Sequence, residues 1–599
     1  MNRNTEAHFS QLPTIDISRS KFDMSHTHKT TCNTGELIPI YVDLDIVPGD
    51  TVTMKMSSLI RMMTPLTPVM DNAFADVYFF FVPNRLVWSN FKKFMGENET
   101  APWTQTQELQ IPQVKFNTNG RHKESEETEY KQVYQVTKNS IANKMGIPIQ
   151  NWQYADTTSA NYKEVSVSQL PFRAYCLIWN EFFRDENLQN PVYVPKDNAN
   201  ITTPPNENSH SYRNFRDSAI VQYSYAGNLP PLKVCKPHDY FTSCLPQPQK
   251  GPAVNIPFSG QVPVEITNKG SLDSDNKRSW YDLGVFELTA QAYAADSGSH
   301  VVGDVKRAAM SCDADFKGDL YTTHATNDPL DSVEAFQFYT DMENAVGATI
   351  NQLRQAFAIQ KFYEREARGG TRYIESVWAH FRTRNPDFRL QRPEYLGGFR
   401  QNININQVVQ NSPLVEGSTP LGTTGAFSLT TNTNGDVFSH SFTEHGILMG
   451  LMCIRTEHTY QQGINRDWFK KSRLDFYTPE FANLGEMAVL NQEIYVQGTS
   501  EDKEAFGYNE AWAEMRFKPS YVSGELSSLY SPSLESWTYA DYYESKPTLG
   551  DKWIQETDAN VARTLAIQNH DQFMMDLYFA PTYTRPLPLY SVPGLIDHH

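Results

Sequence analysis

The chain has 599 residues and a formal net charge of −17, a balance that excludes a protein coating nucleic acid over its whole surface, because phosphate binding is driven by Lys and Arg displacing counterions. The longest purely apolar runs, such as Gly446 to Ile454, fall far short of the roughly 18 to 20 residues that a membrane-spanning helix needs. Six cysteines in so long a chain make a poor disulfide framework, so free buried thiols are expected.

Aromatics reach 13%, with 31 Tyr and 34 Phe, while 35 Pro and 31 Gly punctuate the chain. These proportions suit half-buried sheet with long loops better than helical bundles. The opening "MNRNTEAHFSQLPTIDISRS" lacks an apolar core of signal-peptide type, so synthesis and folding in a cytoplasm are expected.

In chain order, "SHTHKTTC" comes first, with His26, His28 and Cys32 as conceivable zinc ligands; no fourth ligand stands at a suitable spacing, and a polar arm is preferred. From Ile38 the pattern has period two. Ile38, Ile40, Val42, Leu44 and Ile46 fall on one face, Pro48, Gly49 and Asp50 turn the chain, and Val52, Met54, Met56, Ile60 and Met62 resume the alternation. The spacing predicts strands over 38–47 and 51–63, with Ile40, Val42, Met54 and Met56 in the core. "TPLTPVMDN" is a loop, since Pro65 and Pro68 cannot serve a ladder interior. "FADVYFFFV" then reads as a strand over 73–82 buried on both faces, which places Phe79, Phe80 and Phe81 in the core.

"RHKESEETEYK" (121–131) is a charge run and reads as a solvated loop. "SQLPFRAYCLIWNEFFRDE" predicts an amphipathic helix over 169–185, with Ser168 as its cap, Pro171 in its first turn, and Leu170, Ala174, Ile178 and Phe182 on one face. The Pro-rich "LPPLKVCKPHDYFTSCLPQPQKG" closes a first segment, 1–251. Residues 252–328 differ, with Gly, Ser, Asp and Asn clusters around short strands such as "LGVFELTAQAYA", and read as an insertion with its own small β fold. Within it, Asp313, Asp315, Gly318 and Asp319 resemble part of a calcium loop without its closing Glu, and a solvated turn is preferred. The third segment, 329–599, opens on a helix over 345–368. Val346, Ile350, Leu353 and Phe357 make its apolar stripe, and Gly369 and Gly370 stop it. "HGILMGLMCIRTEHTY", "QEIYVQG" and "QFMMDLYFAP", the last over 572–579, supply further strands. Apolar strands near both ends with long splices between them are what a jelly roll tolerates.

No phosphate loop, zinc-protease helix, nucleophile elbow or paired-cysteine motif is present, so the sequence indicates no catalytic residues, cofactor or metal. The feature that stands out is basic. From Arg354 to Arg400 there are ten Lys or Arg against five Asp or Glu, a net of +5. This island interleaves Arg368, Arg372, Arg382, Arg384 and Arg389 with Trp378 and Phe381. Guanidinium forks for phosphate and rings for base stacking are what a sequence-tolerant single-strand surface requires. The plainer reading pairs these arginines with acidic neighbours across subunit interfaces.

Several stretches converge on one family: "RMMTPLTPVMDNAFADVYFFFVPNRLVW", "LPPLKVCKPHDYFTSCLPQPQKG", "INQLRQAFAIQKFYEREARGGTRYIE", "RPEYLGG", "LMCIRTEHTYQQGINRDWFKKSRLDFYTPEFANLGE" and "LPLYSVPGLIDHH". They resemble the major capsid protein of gokushoviruses, small icosahedral phages of the microvirus family with circular single-stranded DNA. The resemblance covers nearly the whole chain and is weakest over 252–328. It implies an eight-stranded antiparallel jelly roll with long insertions, a homo-oligomeric T=1 shell, and an insertion raised as a threefold protrusion toward a host cell-surface receptor. It also implies a small basic internal protein that binds the DNA, a pilot protein, and a virion assembled in a bacterial cytoplasm. The alternative is a carbohydrate-binding or carbohydrate-active jelly roll with a cleft of exposed aromatics.

Overall fold

The computed structural model describes residues 18–97, 109–117, 121–122, 131–132, 136, 138–148, 164–200, 230–251, 264–267, 309–312, 318–321, 337–340, 350–369, 372–384, 386–412 and 421–590. Most of the charge run 121–131, Asp313, Asp315, "LGVFELTAQAYA", Val346 and Gly370 lie outside the described residues.

Among the described residues, ten strands build two antiparallel sheets. They are β1 (Ser20–Asp23), β2 (His26–Cys32), β3 (Ile38–Ile46), β4 (Thr51–Met62), β5 (Ala73–Pro83), β6 (Glu394–Asn402), β7 (Thr430–Ser441), β8 (Gly446–Thr456), β9 (Phe573–Phe579) and β10 (Thr582–Arg585). In the larger sheet β4 is central: β7 pairs along one edge, while β9 and β10 share the other and carry β2 and β1 outside them. The smaller sheet has the order β6-β5-β8-β3. The fold is thus mostly β and antiparallel, and its paired strands come from opposite ends of the chain, as a jelly roll demands.

The triple phenylalanine shows how the sheets are buried. Phe79 and Phe81 join Met54, Met56 and Ile60 of β4 and Phe573 and Leu577 of β9 in one apolar cluster. Phe80 points the other way and packs with Met449 and Leu451 of β8 and with Phe172, Tyr175 and Ile178. Those last three lie on helix α1 (Leu170–Ile178), whose wide loop-borne layer covers the outer face of the smaller sheet. A strand buried on both faces has no polar alternation to show, which is why β5 reads as a continuous apolar run. Gly450 of β8 makes the close fit possible: a Cβ there would sit 2.8 Å from the Phe79 ring and 2.9 Å from Tyr41.

Three expectations need correction. The alternation predicted along β3 holds at Ile38, Ile40 and Ile46, all buried in the first cluster, but is broken between Ile40 and Ile46, because the pairing with β8 slips between Gly450/Tyr41 and Leu451/Pro39. That bulge turns Tyr41 into the first cluster beside Ile40, so Val42 is only half-buried and packs on the other face, while Leu44 is exposed. "QEIYVQG" is not a strand. The strand lies just upstream, at Glu486–Leu490, and Asn491–Ile494 forms a helical turn because Glu493 folds back to accept the Leu490 N–H at 2.9 Å. Helix α1 is preceded by Gln169 as its N-cap, with the Ser168 hydroxyl accepting the Leu170 N–H at 3.3 Å, and its last turn widens into a π-helical turn over Trp179–Phe183.

The chain divides into two units, 1–252 with 362–599, and 253–361. In the second, Val264–Thr267 pairs antiparallel with Gln337–Thr340, a ladder that runs past residue 328, and Ala309–Cys312 pairs with Gly318–Tyr321. Helix α2 (Ile350–Gly369) begins in the second unit and ends in the first. Phe357, expected on its apolar stripe, is exposed.

Candidate nucleic-acid interface

The basic island folds as the end of α2, helix α3 (Tyr373–Phe381) and the single turn α4 (Asp387–Leu390). Glu375 starts α3 by accepting the Arg372 N–H at 3.1 Å. Arg382 ends it in a left-handed conformation, φ 56°, its N–H donating to the Trp378 carbonyl at 2.9 Å. Pro386 then fixes the extended residue before α4.

This scaffold divides the arginines into two sets. Arg372 is committed inward: its Nη1 donates to Glu186 at 3.0 Å and Glu375 at 3.3 Å, and its Nη2 to the carbonyls of Asn180 at 3.2 Å and Arg184 at 2.8 Å. Arg368 pairs with Glu486 and lies 4.0 Å from Glu510. Arg392 pairs with Asp387 at 2.8 Å over the Phe182 ring, and Arg400 grips Asp76 through two bonds of 2.7 and 3.1 Å. These four are answered within their own chain. The pairings of Arg392 with Asp387 and of Arg372 with Glu375 are local, whereas Asp76, Glu186 and Glu486 lie about one hundred to several hundred positions from their arginines and leave no sign in the local sequence.

The second set is different. The Arg382, Arg384 and Arg389 side chains are exposed and make no ion pair or hydrogen bond among the described residues. The Arg384 guanidinium lies 4.7 Å from the centre of the Trp378 ring, and Trp378 and Phe381 are both exposed, Phe381 at 76%. Tyr373 and Phe388 are exposed beside them. Three free guanidinium forks and four open rings within 17 residues is a surface able to hold phosphates and stack bases.

Beneath α3, an open cavity of about 1000 Å³ is lined by Phe182, Arg184, Glu186, Arg372, Tyr395 and Glu486, among others. Burial, with Glu186 close by, pushes the Glu375 carboxyl up, and burial does the same for Glu486. These groups are locked in the ion pairs above. His28 of β2 is 2.8 Å from the Ile40 carbonyl and Cys32 is a buried free thiol, as are Cys176, Cys244 and Cys453. Among the described residues no cluster of three or more His, Cys, Asp or Glu could hold a metal, and no helix is long and apolar enough to cross a membrane.

A family model described as "Capsid protein (F protein)" matches residues 10–595. The chain belongs to that capsid family. It is 36% identical to Capsid protein VP1 of Chlamydia phage 1, over 98% of this chain and 97% of that one, and 36% identical to Capsid protein VP1 of Bdellovibrio phage phiMH2K, over 99% and 98%. Capsid protein VP1 of Spiroplasma virus 4 is 35% identical over 99% of this chain and 98% of its own. The gokushovirus resemblance carried by the quoted stretches is thereby upheld. This capsid protein is a structural subunit of the virion and not an enzyme, which sets aside the carbohydrate-active alternative. Its partners include further copies of itself.

Proposed function

We propose that this capsid protein builds a T=1 shell and holds the single-stranded genome through Arg382, Arg384 and Arg389, with Trp378 and Phe381 stacking on bases. The observation that carries this reading is the contrast within one island, where four arginines are satisfied internally while these three stand exposed beside open rings. Arg368 and Arg372, candidates by sequence, are assigned to holding the scaffold. A chain of net charge −17 does not neutralise DNA alone, which supports a small basic protein inside the shell. A pilot protein and assembly in the bacterial cytoplasm complete the reading by family resemblance.

The triple change Arg382→Glu, Arg384→Glu and Arg389→Glu is expected to leave shells intact and to lower packaged DNA, read as the ratio of absorbance at 260 and 280 nm. Binding of single-stranded DNA should show a salt slope smaller by roughly 2, at about 0.7 for each phosphate no longer neutralised. Particles with an unchanged DNA content, or loss of all assembly, would each count against the contact.

The insertion is proposed as the host-facing element, raised at the threefold axes. Its Gly, Ser, Asn and Asp content offers little apolar core, and polar loops on a rigid scaffold are where recognition sits. Identical copies around one axis sum weak single contacts into firm attachment. Replacing residues 260–320 by a short Gly/Ser linker is therefore expected to permit shell assembly and to abolish adsorption to host cells. Deleted particles that adsorb normally, or that fail to form, would refute this role.

A further inference from the structure

Period two along β5 sends Asp76, Tyr78 and Phe80 to the outer face of the smaller sheet. In register, Arg400 of β6 stands opposite Asp76 and Gly398 opposite Tyr78, while Arg455 of β8 stands opposite Phe74. Both guanidinium groups turn to the one buried carboxylate: Arg400 through Nε at 2.7 Å and Nη2 at 3.1 Å, and Arg455 through Nη2. Two cations on a single carboxylate leave one positive charge in surplus. Arg400, Arg455 and Tyr78 all line the open cavity beneath α3.

The carboxylates of the cavity wall do not cancel this surplus, because each has its own partner. Glu186 and Glu375 share Arg372, Glu486 pairs with Arg368, and Glu510 pairs with Arg516 at 2.7 Å. Asp185 attracts Arg184 beside it and accepts the N–H groups of Asn187 and Leu188, both at 2.9 Å. Donors remain at the Arg400 and Arg455 corner. Nη1 of each arginine donates to nothing among the described residues. The Tyr78 hydroxyl accepts from Arg455 at 3.2 Å and keeps its own proton to give. The Tyr395 hydroxyl, lying over Gly398, makes no hydrogen bond among the described residues. Rings complete the corner: Tyr78 lies 6.4 Å from Tyr395 and 5.1 Å from Phe183, all three line the cavity, and Tyr395 is 44% exposed.

We infer that this corner of the cavity binds a nucleotide, its phosphate on Arg400, Arg455 and the two tyrosine hydroxyls and its base against the Tyr395 ring. Guanidinium forks and hydroxyl donors suit phosphate oxygens, and every base offers a face to an aromatic ring. The rings select a nucleotide over a bare anion. The cavity, at about 1000 Å³, has room for one. The same chemistry is presented by a nucleotide of the genome strand and by a free one. The site is separate from Arg382, Arg384 and Arg389, and the inference stands whether or not those three hold DNA.

Calorimetric titration of dissociated full-chain subunits with deoxyadenosine monophosphate tests this. Inorganic phosphate and deoxyadenosine, which each make only part of the contacts, are expected to bind at least about tenfold more weakly than the nucleotide. Arg400→Gln leaves Asp76 paired with Arg455, so the subunit is expected to keep its melting temperature while nucleotide affinity falls about tenfold, as the loss of a charged hydrogen bond requires. Tyr395→Leu is expected to lower affinity about tenfold through lost stacking, and it decides should the first variant not fold. The triple Glu change at 382, 384 and 389 is expected to leave this affinity unaltered, so the two sites fail separately. Ultraviolet cross-linking of DNA-filled particles, read by mass spectrometry, tells the sources apart: a cross-link at Tyr395 makes the genome the occupant, and its absence there makes it a free nucleotide. No uptake of nucleotide by the subunits, phosphate bound as tightly as the nucleotide, or wild-type affinity in either folded variant would overturn the assignment.

Discussion

Phe79→Asp is expected to yield no soluble, folded subunit. Phe79 is fully buried in β5, opposite Gly397 of β6 on one side and Gly450 of β8 on the other. Its ring lies 5.4 Å from that of Phe438 of β7, so it bridges the two sheets. Losing a buried Phe costs about 3–5 kcal/mol. A carboxylate placed there without a partner adds several kcal/mol of desolvation. Together these reach the 5–15 kcal/mol that separates a folded domain from its unfolded chain. Met574→Asp serves as control, because Met574 lies on β9 but is exposed and opposite Arg61 of β4, and such changes usually stay within about 0.5 kcal/mol. Soluble yield, circular dichroism and particle counts check the pair. A Phe79→Asp subunit that assembles normally would show that the sheets do not close on this residue.

Why β5 is readable in the sequence while its neighbours are less so follows from what each element depends on. A strand covered on both faces must be apolar throughout, so "FADVYFFFV" declares itself locally, and the alternation of β4 does the same for a strand with one buried face. The bulge in β3 leaves no local trace, because it arises from register with β8, some 400 positions later. The basic island is visible as composition, yet its division is not. Whether an arginine is free depends on where Asp76, Glu186 and Glu486 arrive in space, and only the fold brings them. The exposure of Trp468 and Tyr521 is hidden for a related reason: in sequence an exposed aromatic looks like a buried one.

A further hidden arrangement is a buried set of charges, and it carries a pH signature. His458, just beyond β8, is enclosed with Nδ1 3.1 Å from both oxygens of Asp541 and Nε2 3.0 Å from Glu556. Lys236 lies 3.4 Å from Asp541, the Tyr543 hydroxyl donates to Asp541 at 3.0 Å, and Thr456 donates to Glu556 at 3.2 Å. Asn560 also donates to Asp541, and the Lys236 ammonium sits 4.7 Å over the Trp553 ring. Burial alone would push the imidazole pKa down, but the two carboxylates outweigh it and raise it to about 10. Burial likewise opposes ionisation of Asp541, yet His458 and Lys236 hold its carboxyl below the ordinary range. A raised histidine contributes stability that is complete below its unfolded value of about 6.5 and fades as pH climbs through the folded one. A depressed carboxylate contributes above its unfolded value of about 3.9 and fades as pH falls below it. The cluster is therefore strongest between about pH 4 and 6.5, and from there to pH 10 the subunit is expected to lose up to about 1.4 kcal/mol per pH unit for the one proton involved. Asp541→Ala, which takes away the carboxylate beside Lys236 and leaves His458 with Glu556 alone, is expected to cost about 3–5 kcal/mol at neutral pH. Urea midpoints measured across this range for the unaltered chain and for His458→Gln check the assignment. The variant should be less stable at pH 6 and nearly flat up to pH 10. An unaltered chain whose midpoint stays level from pH 6.5 to 9.5, or a variant that keeps the same slope, would mean that His458 is buried without its proton.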